Sequence, residues 1–284
     1  MREKLKFHKM QSLGNDFMVV EAITREISLK PSQIKAWANR SRGVGFDQLL
    51  LIEPPTDPEV DFRYRIFNAD GSEAEQCGNG SRCVALLVNK LGLSHKDTLQ
   101  WQTTRGLTKT VLYLSNREVT VETHMQPPLL EWPEIPFDQC NGQGQTEIEV
   151  SSGGLSIFPI SIGNPHAVIF VNNVSEEDVV GIGEEVSHHS KFANKTNVEF
   201  CQIVNEREIA LRIYERGVGE TAACGSGAAA AFAASKILEK VTSQVRVKMP
   251  GGELSLDWED TDSELKVLGP CLLYTSDAAD DQLG

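Results

Sequence analysis

The sequence predicts an α+β protein made of two copies of one domain, each with strands wrapped around a central helix. Two observations carry that reading. The chain matches itself at an offset of 147 residues, which places Cys77 on Cys224, Arg65 on Arg212, Ile66 on Ile213, Glu73 on Glu220, Gly78 on Gly225 and Gly80 on Gly227. A slightly larger offset, 149, aligns Leu13-Gly14-Asn15 with Ile162-Gly163-Asn164 and Gln48 with Asn197. The length agrees, since 284 residues are roughly twice a usual single domain.

The elements follow in chain order. Phe17 to Val20 is an apolar strand behind the first Gly-Asn turn. Asp61 to Phe67 reads as a strand and runs through a polar loop to Cys77-Gly78-Asn79-Gly80, which opens an apolar helix ending near Gly92. Thr108 to Leu114 and Glu118 to Glu122 are β-rich, and Thr123 to Pro128 joins the halves, with Pro127-Pro128 as a hinge. The second half repeats the plan. Glu147 to Val150, Ala167 to Val171 and Glu208 to Tyr214 read as strands, and Cys224-Gly225-Ser226-Gly227 opens a helix reaching about Lys240. Ala228 to Ala234 is apolar on every face, which suits a helix surrounded by protein. Val245 to Lys248 and Leu265 to Leu268 close the set. The domains are therefore expected at residues 1–123 and 124–270. Residues 271–284, beginning Cys271-Leu272-Leu273-Tyr274, read as a non-native, adapter-derived tail that contributes nothing to the fold.

Composition excludes several function classes. Apolar residues at 40% and charged residues at 24% describe a folded globular protein rather than a disordered one. A net charge of −13 disfavours a nonspecific hold on nucleic acid or on anionic lipid. The small-apolar run Gly227 to Ala234 is far short of the roughly 20 residues of a spanning helix. Met1 to Asp16 lacks the apolar core of a signal peptide, so a cytoplasmic protein is expected. Six cysteines lie scattered with no CxxC pair, which fits neither a disulfide framework nor structural zinc; no metal is expected.

The duplicated cysteines carry the chemistry. Each precedes a Gly-x-Gly turn that opens a helix, where unsatisfied N–H groups and the positive dipole end favour an anion and lower a thiol pKa. A lone Cys-Gly is usually a small buried residue in a tight turn, but two at equivalent positions reverse those odds. Cys83 lies inside the first helix and reads as inert, and Cys140 and Cys201 as ordinary. Two domains related by an approximate two-fold axis would set Cys77 and Cys224 on opposite sides of the cleft between them. A racemase or epimerase needs that geometry, because a planar carbanion loses its proton on one face and regains one on the other. The helix N-termini would hold the substrate carboxylate, and the sequence requires no cofactor. A thiol redox protein is the rival from another class, but resolving cysteines usually lie close in sequence. A noncatalytic amino-acid-binding module would not need two thiols.

Several blocks match a known family in order and spacing. Gly14-Asn15-Asp16-Phe17, Gly45-Phe46-Asp47-Gln48, Phe67-Asn68-Ala69-Asp70-Gly71, Gln76-Cys77-Gly78-Asn79-Gly80, Gly163-Asn164-Pro165-His166, Asn197-Val198-Glu199-Phe200 and Glu215-Arg216-Gly217 through Ala223-Cys224-Gly225-Ser226-Gly227 resemble diaminopimelate epimerase. The resemblance spans residues 4–270. It implies two β-barrel-like domains, each around a central helix, assembled as a homodimer, and cofactor-independent conversion of LL- to meso-diaminopimelate. It further implies that Cys77 and Cys224 are the base and acid. Gly78, Asn79, Gly225 and Ser226 would hold the α-carboxylate through backbone N–H groups. Asn15, Gln48, Asn68, Asn164, Asn197, Glu215 and Arg216 would bind the amino-acid substrate, Arg216 through the distal carboxylate, while His166 and Glu215 would tune the thiols. The family's closing strand, which returns to the first domain and contributes to the dimer, is replaced here by the adapter-like tail, so impaired folding and dimerisation are expected. Two-cysteine racemases of histidine, proline or hydroxyproline share the fold and remain the alternative substrates.

Overall fold

The computed structural model describes residues 5–74, 77–115, 119–130, 137 and 144–274. The chain forms two compact units, Met1–Thr123 with Gly269–Gly284, and His124–Leu268. Cys140 and Gln76 lie outside the described residues.

The first unit opens with a hairpin of β1 (His8–Ser12) and β2 (Asn15–Glu21), paired from His8 opposite Val19 to Ser12 opposite Asn15. Leu13 and Gly14 make its turn at positive φ, 53° and 81°. Helix α1 (Pro31–Ala38) leads to β3 (Gln48–Glu53), which runs parallel to β2 with Gln48 opposite Phe17. β4 (Phe62–Asn68) lies antiparallel to β3, with Asn68 opposite Gln48. β5 (Glu73–Ala74) folds back on β4, and α2 (Gly78–Lys90) follows. β6 (Thr98–Thr103) and β7 (Gly106–Leu114) form a second hairpin, and the unit ends at Thr123 within β8 (Val119–Met125).

The second unit repeats this order. β9 (Thr146–Val150) pairs with β10 (Gly153–Ser161), and β10 forms a hairpin with β11 (Pro165–Phe170). Helix α3 (Val179–Ser187) precedes β12 (Asn197–Asn205), which runs parallel to β11 with Asn197 opposite His166. β13 (Glu208–Glu215) is antiparallel to β12, and β14 (Gly219–Thr221) folds back on it. Then come α4 (Gly225–Ile237), β15 (Gln244–Met249), β16 (Gly252–Asp257) and β17 (Leu265–Pro270). The repeat reaches side-chain level. Arg65 grips Glu73 through Nε and Nη2 at 2.8 and 2.7 Å, and Arg212 grips Glu220 the same way at 2.7 and 3.0 Å.

The helices α2 and α4 each carry 13 residues, and both are buried among strands of their own unit. Ala228 to Ser235 are all fully buried, the outcome expected of a helix apolar on every face. Both helices end in the same cap. Gly92 N–H reaches the Asn89 carbonyl at 3.0 Å, and Glu239 N–H the Lys236 carbonyl at 2.9 Å. Gly92 has φ +67° and Glu239 φ +56°, so the second copy places a side chain where the first has none.

The C-terminal segment departs from the expectation. Cys271 is 8% exposed and belongs to the first unit's core with Met10, Phe17, Cys83 and Val121. β18 (Leu272–Leu273) pairs antiparallel with β1, setting Leu273 opposite Met10 and Leu272 opposite Gln11. Residues 271–274, expected to contribute nothing to the fold, instead complete the first unit's core and pair with β1. Whatever its origin, Cys271-Leu272-Leu273-Tyr274 is apolar enough to fill an open core edge and extended enough to satisfy the backbone of β1. Residues 275–284 lie outside the described set.

Candidate active site

Cys77 is the N-cap of α2, with extended backbone at φ −148° and ψ 106°. Its sulfur accepts the Gly80 N–H at 3.4 Å and donates to Asn15 Oδ1 at 3.7 Å. Asn15 is held on both sides. Its Oδ1 also accepts from Asn79 Nδ2 at 3.5 Å, and its Nδ2 donates to Asp47 Oδ2 at 3.2 Å. Asp47 takes the Asp16 N–H as well, and Arg40 grips Asp47 and Asp16 at 2.7 and 2.9 Å. Gln48 donates to Asn68 Oδ1 at 3.1 Å, and Asn68 Nδ2 donates to Ser72 at 3.1 Å. The half-buried Gln48 and Asn68 are thus set by the β3–β4 register, one beside the other.

Gly78 and Asn79 occupy the first turn of α2, where a helix's own carbonyls cannot satisfy the N–H groups. A Cβ on Gly80 would stand 3.0 Å from Leu50 Cδ2, so glycine lets the turn sit this close to β3 without moving the Leu50 side chain.

In the second unit Cys224 is the N-cap of α4, and its sulfur lies 3.4 Å from Ser226 Oγ. Gly225 and Ser226 fill the first turn. The expectation that a helix N-terminus lowers the thiol pKa fails at Cys224. Burial, and then the Glu215 carboxylate, push it well above the usual thiol value, against smaller downward pulls from Ser226 and the Gly227 N–H. Glu215 is oriented by Thr221 Oγ1, which donates to it at 2.5 Å. Cys83 and Cys201 are buried thiols pushed up mainly by desolvation, Cys201 to about 12.

His166 is fully buried between two partners. Its Nδ1 lies 2.7 Å from Glu199 Oε1 and its Nε2 lies 3.0 Å from Asn164 Oδ1. Glu199 is also fully buried, its carboxyl pushed upward by desolvation, and it backs onto α4: a Cβ on Gly227 would stand 2.9 Å from Glu199 Oε1. Asn197 Oδ1 accepts the Arg216 backbone N–H at 2.9 Å, while the exposed Arg216 guanidinium donates to the Asn194 carbonyl at 2.8 Å. Of the residues singled out in the sequence, Asn15 reaches the Cys77 sulfur and Glu215 acts on Cys224, whereas Gln48 pairs with Asn68 and Arg216 with Asn197 and Asn194.

Three further residues matter that sequence reasoning gave no role. Asp47 orients Asn15, Glu199 fixes His166, and Arg82 lies buried beside Asn79. Glu199 had a legible signal, a charge between the apolar Val198 and Phe200. Among the described residues, no group of three or more His, Cys, Asp or Glu could hold a metal ion, and no helix is long and apolar enough to cross a membrane.

Comparison with known proteins agrees over most of the chain. The family described as diaminopimelate epimerase matches residues 7–128 and 158–271. A diaminopimelate epimerase of Azotobacter vinelandii is 44% identical over 269 residues, covering 94% of this chain and 96% of the relative. Among solved structures, a hydroxyproline epimerase from Agrobacterium vitis superposes with a TM-score of 0.73 at 14% identity, over 97% of this chain and 92% of that one. A predicted epimerase from Pseudomonas aeruginosa gives 0.67 at 14% identity, over 96% and 98% of the two chains. At such identities these structures establish the two-domain α+β fold alone.

Proposed function

The chain belongs to the diaminopimelate epimerase family, and from that membership we infer that it is an isomerase converting LL-2,6-diaminopimelate to meso-diaminopimelate. The observation that carries the reading is the near-full-length match at 44% identity, and the cysteine capping a buried helix in each unit supports it.

The proposed chemistry divides between the units. One cysteine, as thiolate, takes the α-proton; the other, as thiol, delivers a proton to the opposite face, and the two exchange roles with reaction direction. Charge left on the α-carbon spreads into the adjoining carboxylate. Backbone N–H groups of Gly78 and Asn79 and of Gly225 and Ser226, with the positive ends of α2 and α4, stabilise that charge. Gly80 N–H, which already donates to the Cys77 sulfur, favours that sulfur as an anion. Glu215 opposes a negative Cys224 and so favours its thiol. Asn15, Gln48, Asn68, Asn164 and Asn197 fix the substrate's amino and carboxyl groups, and Arg216 takes the distal carboxylate. His166, locked by Glu199, tunes the thiol chemistry. No pyridoxal phosphate enters this scheme. We further propose that the protein works in the cytoplasm as a homodimer, with neither nucleic acid nor membrane as partner.

The test offers LL-diaminopimelate, L-proline, trans-4-hydroxy-L-proline and L-histidine separately to the purified protein and resolves the stereoisomers chromatographically. Conversion of LL-diaminopimelate to a mixture with the meso isomer, with the other three unchanged, is expected. Turnover of one of those three in its place would overturn the substrate assignment.

A further inference from the structure

Arg82 is fully buried on α2, in the turn after the one that Cys77 caps. Its Nε donates to Ser12 Oγ at 3.1 Å, and its Nη2 donates to Asn79 Oδ1. Nη1 is buried with no hydrogen-bond partner among the described residues. Among those residues no carboxylate pairs with it; the ionisable groups that act on it are the thiols of Cys83, Cys271 and Cys77. A guanidinium serving as structural glue would be expected to carry a counter-ion. An apolar side chain of similar volume would fill the site without the cost of desolvating a charge. The charge itself therefore needs a reason.

The surroundings supply one. Cys83 and Cys271 are buried thiols pushed up by desolvation, Cys271 to about 12, and Cys271 donates its S–H to the Arg82 carbonyl at 3.4 Å. Neither takes a negative charge at neutral pH. Cys77 is half-buried, and it connects to Arg82 through an unbroken polar chain: Arg82 to Asn79, Asn79 to Asn15, Cys77 to Asn15. The far end of Asn15 is fixed by Asp47. The second unit has no cation at the equivalent position, because Ala229 stands where the 147-residue offset places Arg82, and among the described residues the carboxyl of Glu199 is the buried group that backs onto α4.

We propose that Arg82 is a positioning residue for Cys77: it fixes the Asn79–Asn15 pair, in which Asn15 Oδ1 accepts the S–H of the neutral thiol, and its positive charge favours the Cys77 thiolate over that thiol. The proposal rests on the acid–base role given to Cys77 above. The C-terminal segment belongs to the same device. Ser12 Oγ, which accepts a hydrogen bond from Arg82 Nε–H, donates to the Pro270 carbonyl at 2.7 Å, and Cys271 closes over the Arg82 backbone.

Among the described residues, the other titratable groups around Cys77 and Arg82 are few. Tyr64 on β4 is buried and pushed far up. Cys83 comes from α2 and Cys271 from the C-terminal segment, while Asp16 and Asp47, beside Asn15, are paired with Lys9 and Arg40.

The test alkylates the reduced protein with iodoacetamide across a pH series without substrate, and reads Cys77 and Cys224 separately by peptide mass spectrometry. Arg82→Gln keeps a donor for Asn79 but removes the charge, and Arg82→Lys keeps the charge. The expected result is a rise of about one pH unit in the Cys77 midpoint for R82Q, a midpoint near wild type for R82K, and no movement of Cys224 in either. Unchanged Cys77 midpoints in both variants, or equal shifts at Cys77 and Cys224, would overturn the proposal. Should R82Q fail to fold, Ser12→Ala carries the test: kcat for epimerisation falls several-fold at unchanged KM, and an unchanged kcat counts against Arg82. Alkylation needs no turnover, so a wild-type protein that fails to epimerise refutes the functional reading and leaves the thiol titration to decide the present one.

Discussion

Ending the chain at Pro270 should destabilise the first unit by about 3–4 kcal/mol. Cys271 leaves a site where it is 8% exposed within the core of α2 and β1, which costs about 1–2 kcal/mol in lost burial and cavity. The pairing of β18 with β1 and the Tyr274 N–H to Lys9 carbonyl bond at 3.0 Å are lost, at about 1 kcal/mol each. Arg82 also loses the group that closes over it, and water then reaches the guanidinium. For a unit of this size the melting temperature should fall by roughly 10 °C. The assay is thermal unfolding followed by circular dichroism, with the full chain and the truncated chain side by side. Pairing with a Leu272→Asp, Leu273→Asp variant separates lost strand from lost length, and the double substitution should reproduce most of the fall. A truncated protein that melts with the full chain would show that Cys271 to Tyr274 merely rest on the first unit.

Three other outcomes follow from particular residues. Glu239→Gly should raise stability by about 1 kcal/mol, because Glu239 holds φ +56° where the equivalent Gly92 pays no side-chain penalty; a denaturant midpoint that falls contradicts this. Glu215→Gln should move ionisation of Cys224 to lower pH, although burial, the larger cause of its raised pKa, remains. Faster alkylation of Cys224 at neutral pH is the expected reading, and slower alkylation reverses the sign of the argument. On the two-thiol mechanism proposed above, mild oxidation with diamide should inactivate the protein and dithiothreitol should restore it, because that mechanism needs both sulfurs reduced; activity that survives loss of both thiols removes the cysteines from the mechanism.

The repeat was legible because it rests on identical residues at equivalent places in the two units. The Leu-Gly and Ile-Gly turns, the Arg–Glu pairs and the Cys-Gly-x-Gly caps each need a particular side chain at a particular place, and they surface as identities at a fixed offset. The equivalence of the candidate residues was legible for the same reason, since Gln48 and Asn197 begin equivalent strands. Arg82 was not. On a helix an arginine among apolar residues usually snorkels outward, and here its burial is decided by Ser12 and by a segment almost 190 residues further along. The thiol of Cys224 was misjudged because a helix N-terminus is visible in sequence, whereas the depth of burial and the approach of Glu215 are not. The C-terminal segment was misjudged on the apparent origin of its residues, which says nothing of their capacity to pair with an open strand.

The two-thiol mechanism is tested most directly by isotope incorporation. LL-diaminopimelate is incubated with the protein in deuterated water, and product and unreacted substrate are separated early, before the reverse reaction contributes. With one cysteine removing the α-proton and the other delivering from the opposite face, the new meso stereocentre carries deuterium while unreacted LL substrate keeps its α-hydrogen. Deuterium appearing in the unreacted substrate as fast as in the product would mean that one group serves both faces, and would contradict the assignment of Cys77 and Cys224 as a pair.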